Sequence, residues 1–159
     1  MAPLAAPYTL RSATPADVHA VARHRVAMFR DMGVLPEAEA PALEASSAEF
    51  LARAMQAGQY QGWVAEHAGA VIGGAGVVLR PLLPRPGHLD GGVEAYVLNV
   101  YTEPGHRRRG VARALMATVL VWCEEKAIAR VTLHASDEGR PLYLSLGFAS
   151  TNEMLRDLR

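Results

Sequence analysis

The chain has 159 residues, half of them apolar and a fifth charged, and its 16 basic and 16 acidic side chains balance. That is the size and composition of one globular domain, expected to span residues 1–159. Zero formal net charge argues against nucleic acid or an anionic membrane as partner, the lone Cys123 excludes an internal disulfide, and no apolar run reaches the ~18–20 residues of a membrane span.

The Met1–Pro7 start lacks the basic region and apolar core of a signal peptide, so a cytoplasmic location is expected. Tyr8–Arg11 alternates and reads as a strand. Thr14 and Pro15 then supply N-cap and N1 of a helix, which carries Val18, Val21, Ala22, Met28, Phe29 and Met32 on one stripe and stops at Gly33. Pro36–Pro41 reads as a loop. Ser46 or Ser47 caps a second helix through Ala57, with Phe50, Leu51, Ala54 and Met55 inward and Gly58 as its stop.

Gly62–His67 and Ala70–Leu79 form a hairpin, whose second strand is interrupted by Gly73, Gly74 and Gly76, the mark of a bulge or a close backbone approach. Pro81–Gly92 is a loop and Val93–Thr102 a central strand. Arg108–Lys126 is a helix apolar over more than half its circumference, so it packs on more than one neighbour. Val131–His134 is a strand, Asp137–Leu146 a helix ended by Gly147, and Phe148–Leu155 a final strand. The order β-α-α-β-β-β-α-β-α-β makes a mixed α/β (α+β) domain with a central strand–helix–strand crossover.

The most informative stretch is Val97–Met116, a strand, a basic turn and a helix start without a linker. The first turn of a helix offers backbone N–H groups that have no intrahelical partner, and the helix dipole adds to their pull on an anion. Gly110 and Ala112 keep the turn bare, while Arg107, Arg108, Arg109 and Arg113 surround it with positive charge. The turn reads as a site for a phosphorylated cofactor.

On these residues the chain resembles the GNAT superfamily of N-acetyltransferases. The phosphate-binding signature Arg/Gln-x-x-Gly-x-Gly/Ala is met by Arg107, Gly110 and Ala112, and a tyrosine shortly before a Gly-Phe pair by Tyr143, Gly147 and Phe148. The resemblance covers essentially the whole chain. It implies a mixed sheet of six to seven strands flanked by about four helices, with a bulged strand splayed from its parallel neighbour. It also implies acetyl-CoA as cosubstrate, its pyrophosphate on the amides of Arg108, Arg109, Gly110, Val111, Ala112 and Arg113. The pantetheine arm then lies against Val100, Tyr101 and Thr102, and Tyr143 stands beside the thioester sulfur. Two departures are Ser136, where many members carry Asn, and His106, where many carry an aromatic; Ser136 still falls on the cofactor side. Many relatives dimerise, so the resemblance admits a homodimer.

Acetyl transfer to an amine needs a neutral amine, an N–H donor for the carbonyl oxygen and a proton for the leaving sulfur. A phenol stays protonated at neutral pH, which suits Tyr143 as that proton donor, and an N–H freed by a bulge near Val100 suits the carbonyl. Glu94, which shares a strand face with Tyr96, is the expected base. No Ser or Cys pairs with a base, so direct attack is expected. Arg25, inside the apolar stripe of the first helix beside Phe29, must snorkel or find an anion. In this fold that helix borders the acceptor, so Arg25 and Phe29 are expected to bind it, Arg25 through an acidic group.

The histidines show no ligand spacing, so no metal is expected. A dinucleotide-binding oxidoreductase would place Gly-x-Gly-x-x-Gly after an early strand, and Gly74 and Gly76 supply only a fragment of it. The alternative to an enzyme is a non-catalytic acyl-CoA sensor, which would keep the turn and could dispense with Tyr143. The acceptor is a small-molecule or peptide amine; its identity and the acyl-chain length stay open.

Overall fold

The alternating segments pair into one sheet. In the computed structural model, which describes residues 7–158, strands β1 (Tyr8–Ser12), β2 (Tyr60–His67), β3 (Ala70–Leu82), β4 (Gly92–Thr102) and β5 (Arg130–Leu133) lie in the order β1-β2-β3-β4-β5. The first three pairings are antiparallel, and β4 with β5 is parallel. Helices α1 (Val18–Asp31) and α2 (Ala40–Gln56) join the first two strands, α3 (Val111–Glu125) makes the crossover, and α4 (Arg140–Ser145) follows β5. The residues Met1–Ala6, part of the start read as lacking a signal peptide, lie outside the described residues.

Strand alternation divides the core into two layers. Trp63, Ala65, Ala75, Val77, Ala95 and Val97 face Val111, Leu115, Met116, Val119 and Cys123 of α3. Tyr60 and Val64, with Val78 and Leu98 against them, meet Val18, Val21, Leu51 and Ala54 of α1 and α2. The wide apolar stripe of α3 is thus buried over most of its length, and Trp122 at its edge stacks edge-on against Trp63 at 5.4 Å.

Several expectations need correcting. Five strands are found among the described residues rather than six or seven, because Phe148–Leu155 forms no strand. Phe148 packs on the core, but the residues after it do not alternate, and Met154, Leu155 and Leu158 stand in solvent. Pro36–Pro41 is not a loop throughout: a 3-10 turn, Glu37–Glu39, runs into α2, with Pro41 in the first turn, where its missing N–H costs nothing. Ser46 and Ser47 are therefore inside the helix, and Phe50 points outward, half exposed. A 3-10 turn, Pro15–Asp17, precedes α1, and the Thr14 N–H donates to Asp17 Oδ2 at 2.7 Å. β3 extends to Leu82, which shortens the loop after it; α3 begins at Val111 and α4 at Arg140, each later than expected.

The glycines of β3 are there for clearance. A Cβ on Gly76 would stand 2.1 Å from the Tyr60 hydroxyl, and one on Gly73 would stand 2.7 Å from the Tyr101 carbonyl oxygen. Opposite them the ladder slips. Gly74 pairs with Tyr101 and Gly76 with Leu98, so two steps on β3 face three on β4. That extra residue is a β-bulge, with Asn99 in the left-handed region at φ 56°. Asparagine tolerates this conformation better than most residues.

Candidate active site

β4 and β5 part company at the bulge. Their pairing runs from Glu94↔Arg130 to Val97↔Leu133 and stops, while β4 continues to Thr102. From Leu98 onward β4 is bonded on its β3 side only, leaving a strand edge open for a ligand. Val100 packs towards the α3 layer, whereas Leu98 and Asn99 both turn to the α1 and α2 side. The expected bulge and splay are both present.

β4 leads through a 3-10 turn, Pro104–His106, into the start of α3. Arg108 (φ 61°) and Gly110 (φ 82°) are both left-handed, and this is why the helix begins at Val111 rather than Arg108. Among the described residues no side chain caps α3, and, its own chain neighbours apart, no atom lies within 4 Å of where a Cβ on Gly110 would stand. Val111, Ala112 and Arg113 thus open the helix with amides that have no intrahelical partner, beside the bare Gly110 and the exposed Arg108 and Arg109. These features fit the diphosphate end of a coenzyme.

The four arginines of the turn do different things. Arg107 faces inward: its Nε donates to the Thr102 carbonyl at 2.9 Å, its guanidinium pairs with Asp31 of α1, and it lies 5.5 Å from the Tyr101 ring. It holds the turn to α1. Arg113 donates to Ser145 Oγ at 2.8 Å, which ties the first turn of α3 to α4. Tyr143 is carried on that same short helix, its ring packed on the core and edge-on to Phe148 at 6.0 Å. Burial raises its phenol above the ordinary value, so it keeps its proton. Ser136 accepts from the Gly139 N–H at 3.1 Å and shapes the turn before α4. His106 Nδ1 is hydrogen-bonded to the Tyr8 hydroxyl at 3.0 Å, bracing the other side of the turn.

On the α1 side of β4, Arg25 donates to Asn99 Oδ1 at 2.6 Å and its guanidinium lies 4.7 Å from the Phe29 ring. His24 meets Glu103 at 3.1 Å, and burial lowers its pKa. Tyr96 lies under Arg80, 3.7 Å from guanidinium to ring, and its hydroxyl is 2.8 Å from His134 Nδ1. Val100 and Tyr143 thus pack on the α3 side of the sheet, while Asn99 of the bulge turns to the other side, where Arg25 and Phe29 lie. Glu94 stands apart from them, at the start of β4, buried and paired with Arg130 at 2.7 Å and Arg80 at 3.8 Å.

Asn99, His134 and Tyr60 were not singled out from the sequence. A signal existed for Asn99, since asparagine is disfavoured in a central strand and its presence there marks an irregularity. His134 carries no local signal; only the strand register brings it to Tyr96.

Residues 26–157 match the family profile described as the acetyltransferase (GNAT) domain. A GCN5-related N-acetyltransferase from Ralstonia eutropha JMP134 is 34% identical and superposes with a TM-score of 0.87 over 95% of this chain and 98% of that one. A predicted acetyltransferase from Clostridium acetobutylicum, solved with acetyl-CoA, is 25% identical with a TM-score of 0.84, over 94% of each chain. Glucosamine 6-phosphate N-acetyltransferase of Trypanosoma brucei brucei is 27% identical over 88 residues, 55% of this chain and 57% of that protein. N-acetyltransferase 8 of Rattus norvegicus is 30% identical over 60% of this chain and 42% of its own length, so the chain spans about half of these two relatives. With a matching profile over most of its length and the bulged, splayed strand pair in its sheet, the chain belongs to the GNAT acetyltransferase family.

Proposed function

We propose that this protein is an acetyl-CoA-dependent N-acetyltransferase acting by direct attack on a primary amine of a small molecule or peptide. The observation that carries the reading is the parting of β4 from β5 beside a bulge, with an uncapped helix start a few residues further on. The Clostridium relative solved with acetyl-CoA supports the cosubstrate, and the glucosamine 6-phosphate enzyme supports a small-molecule amine as acceptor.

Bound acetyl-CoA would supply an acetyl group activated as a thioester. The amides of Val111, Ala112 and Arg113, with Arg108 and Arg109, would hold the pyrophosphate, and the open edge of Val100, Tyr101 and Thr102 would pair with the pantetheine amides. Tyr143 holds a proton for the departing sulfur. A primary amine, with an ordinary pKa of ~10, must lose a proton to attack. Glu94, with both carboxylate oxygens engaged by guanidinium groups, is poorly disposed to take it. The Tyr96–His134 pair lies on the acceptor side of β4 beside the last β4–β5 pairing, and we assign the proton to it: Tyr96 Oη takes it as the Tyr96 hydroxyl proton passes to His134 Nδ1. Tyr143, half-buried with its ring packed on the core, favours this enzyme over a non-catalytic acyl-CoA sensor, which has no use for a proton donor there.

Calorimetric titration with acetyl-CoA and CoA tests the cofactor site. Gly110→Glu is expected to abolish binding by setting an anion in the pyrophosphate position. Gly110→Asn, which tolerates the left-handed backbone, is the control for strain. A folded wild-type protein that binds neither ligand would refute the reading.

A further inference from the structure

Arg25 is a cation drawn partly out of water, and no carboxylate among the described residues pairs with it. Arg11, Arg30, Arg53, Arg80, Arg107 and Arg130 each pair with a carboxylate. Among the described residues Arg25 has only a neutral partner, Asn99 Oδ1, and the face of Phe29. The ionisable side chains that reach it are the phenols of Tyr60 and Tyr96, and burial lowers its pKa, as for a charge that has lost water without gaining a counter-charge. A charge so placed is costly to the fold unless something outside the chain pairs with it.

An independent observation comes from its partner. Asn99 is 5% exposed, and its Nδ2, left over once Oδ1 is taken by Arg25, is buried without a hydrogen bond. It approaches the Tyr60 hydroxyl without the geometry of a bond. A buried amide donor with no acceptor is rare in a finished core. The bulge itself puts Asn99 here, in a left-handed conformation on the α1 side of the sheet. Two unmet donors, one charged, thus lie together on the face across from the cofactor edge.

We propose that Arg25 and Asn99 form a receptor for an oxyanion, a carboxylate or a phosphate, carried by the acceptor amine. This rests on the acetyltransferase reading and narrows its acceptor to anionic amines. The guanidinium keeps four of its five N–H donors beyond the one given to Asn99, enough for a two-point contact with an oxyanion. Arg130 is less suited to the task, since its Nε is bonded to Glu94 at 2.7 Å, and Arg80 lies over the Tyr96 ring with Glu94 3.8 Å away.

The test titrates matched amines into nitrogen-15-labelled protein, with and without saturating CoA, following the Arg25 Nε–Hε signal by NMR. The probes are β-alanine against β-alaninamide for a carboxylate, and O-phosphoethanolamine against ethanolamine for a phosphate. In at least one pair the anionic member is expected to bind about 10- to 100-fold tighter, the span of a charge-assisted contact. Followed at backbone amide signals, Arg25→Gln should erase that preference, and Arg25→Lys should keep part of it, while both variants retain the CoA affinity of the wild type. Equal binding within both pairs, or a preference that persists in Arg25→Gln, overturns the assignment. Absence of CoA binding by the folded wild type would instead overturn the acetyltransferase reading on which it rests.

Discussion

Arg130 Nε donates to Glu94 Oε2 at 2.7 Å, and the two residues are register partners at the first step of the parallel β4–β5 pair. Glu94 is 7% exposed, while both of its arginines are about half exposed. This places the carboxylate as a clasp where the two strands meet, five residues before the bulge residue Asn99. Glu94→Gln should lower stability by about 1 kcal/mol, because solvent screens the arginine partners, and change kcat by less than about threefold. Urea unfolding and steady-state kinetics check this. A kcat loss of about 100-fold with an altered pH profile would instead make Glu94 the base.

Tyr143 owes its position to packing on the core and to the Arg113–Ser145 hydrogen bond, which fixes α4 against α3. Tyr143→Phe keeps the ring and removes the proton. It is expected to lower kcat about 100-fold and leave the KM for acetyl-CoA within a few-fold. An unchanged kcat would limit Tyr143 to packing.

Outside the site, Asp17 accepts from both Arg11 Nη atoms at 2.8 Å, and the Thr14 N–H adds a third bond. The Arg11 guanidinium, first among these, holds the Asp17 carboxyl down from 3.8 to about 2. Because the folded value is the lower one, the resulting stability is present above the unfolded value and lost as pH falls through the folded one. It should amount to about 1–2 kcal/mol after allowing for the partial exposure of Arg11, and be lost between roughly pH 4 and pH 2. Asp17→Asn should remove that part of the pH dependence in urea unfolding. Parallel wild-type and variant curves over this range would refute the assignment.

Cys123 is 2% exposed within the α3 layer, and burial pushes its thiol up to about 11. At pH 8 only about one thiol in a thousand would be ionised, and it is out of reach. An aromatic disulfide reagent should leave the native protein unmodified and label it only at the rate of opening. Rapid stoichiometric labelling of folded protein would contradict the packing.

What the sequence by itself determined is what local backbone chemistry determines. Strand alternation, the glycine-rich β3 and the Arg107–Arg113 turn are properties of neighbouring residues, so the mixed sheet, the crossover helix and the turn that starts α3 were legible. Tyr143 was marked only by the resemblance of its spacing from Gly147 and Phe148 to the family motif. Boundaries were less so: Pro41 could begin a helix as well as end a loop, and Phe148–Leu155 lacked the alternation that would have held it in the sheet. Only the tertiary structure decided the pairings across the sheet. Register joins Glu94 to Arg130 and brings Tyr96 to His134, two contacts between residues more than thirty positions apart. The bulge then turns Asn99 toward Arg25, 74 residues away, and among the described residues no carboxylate pairs with that cation. Long-range contacts of this kind are set by how strands align, and no short stretch of sequence carries that information.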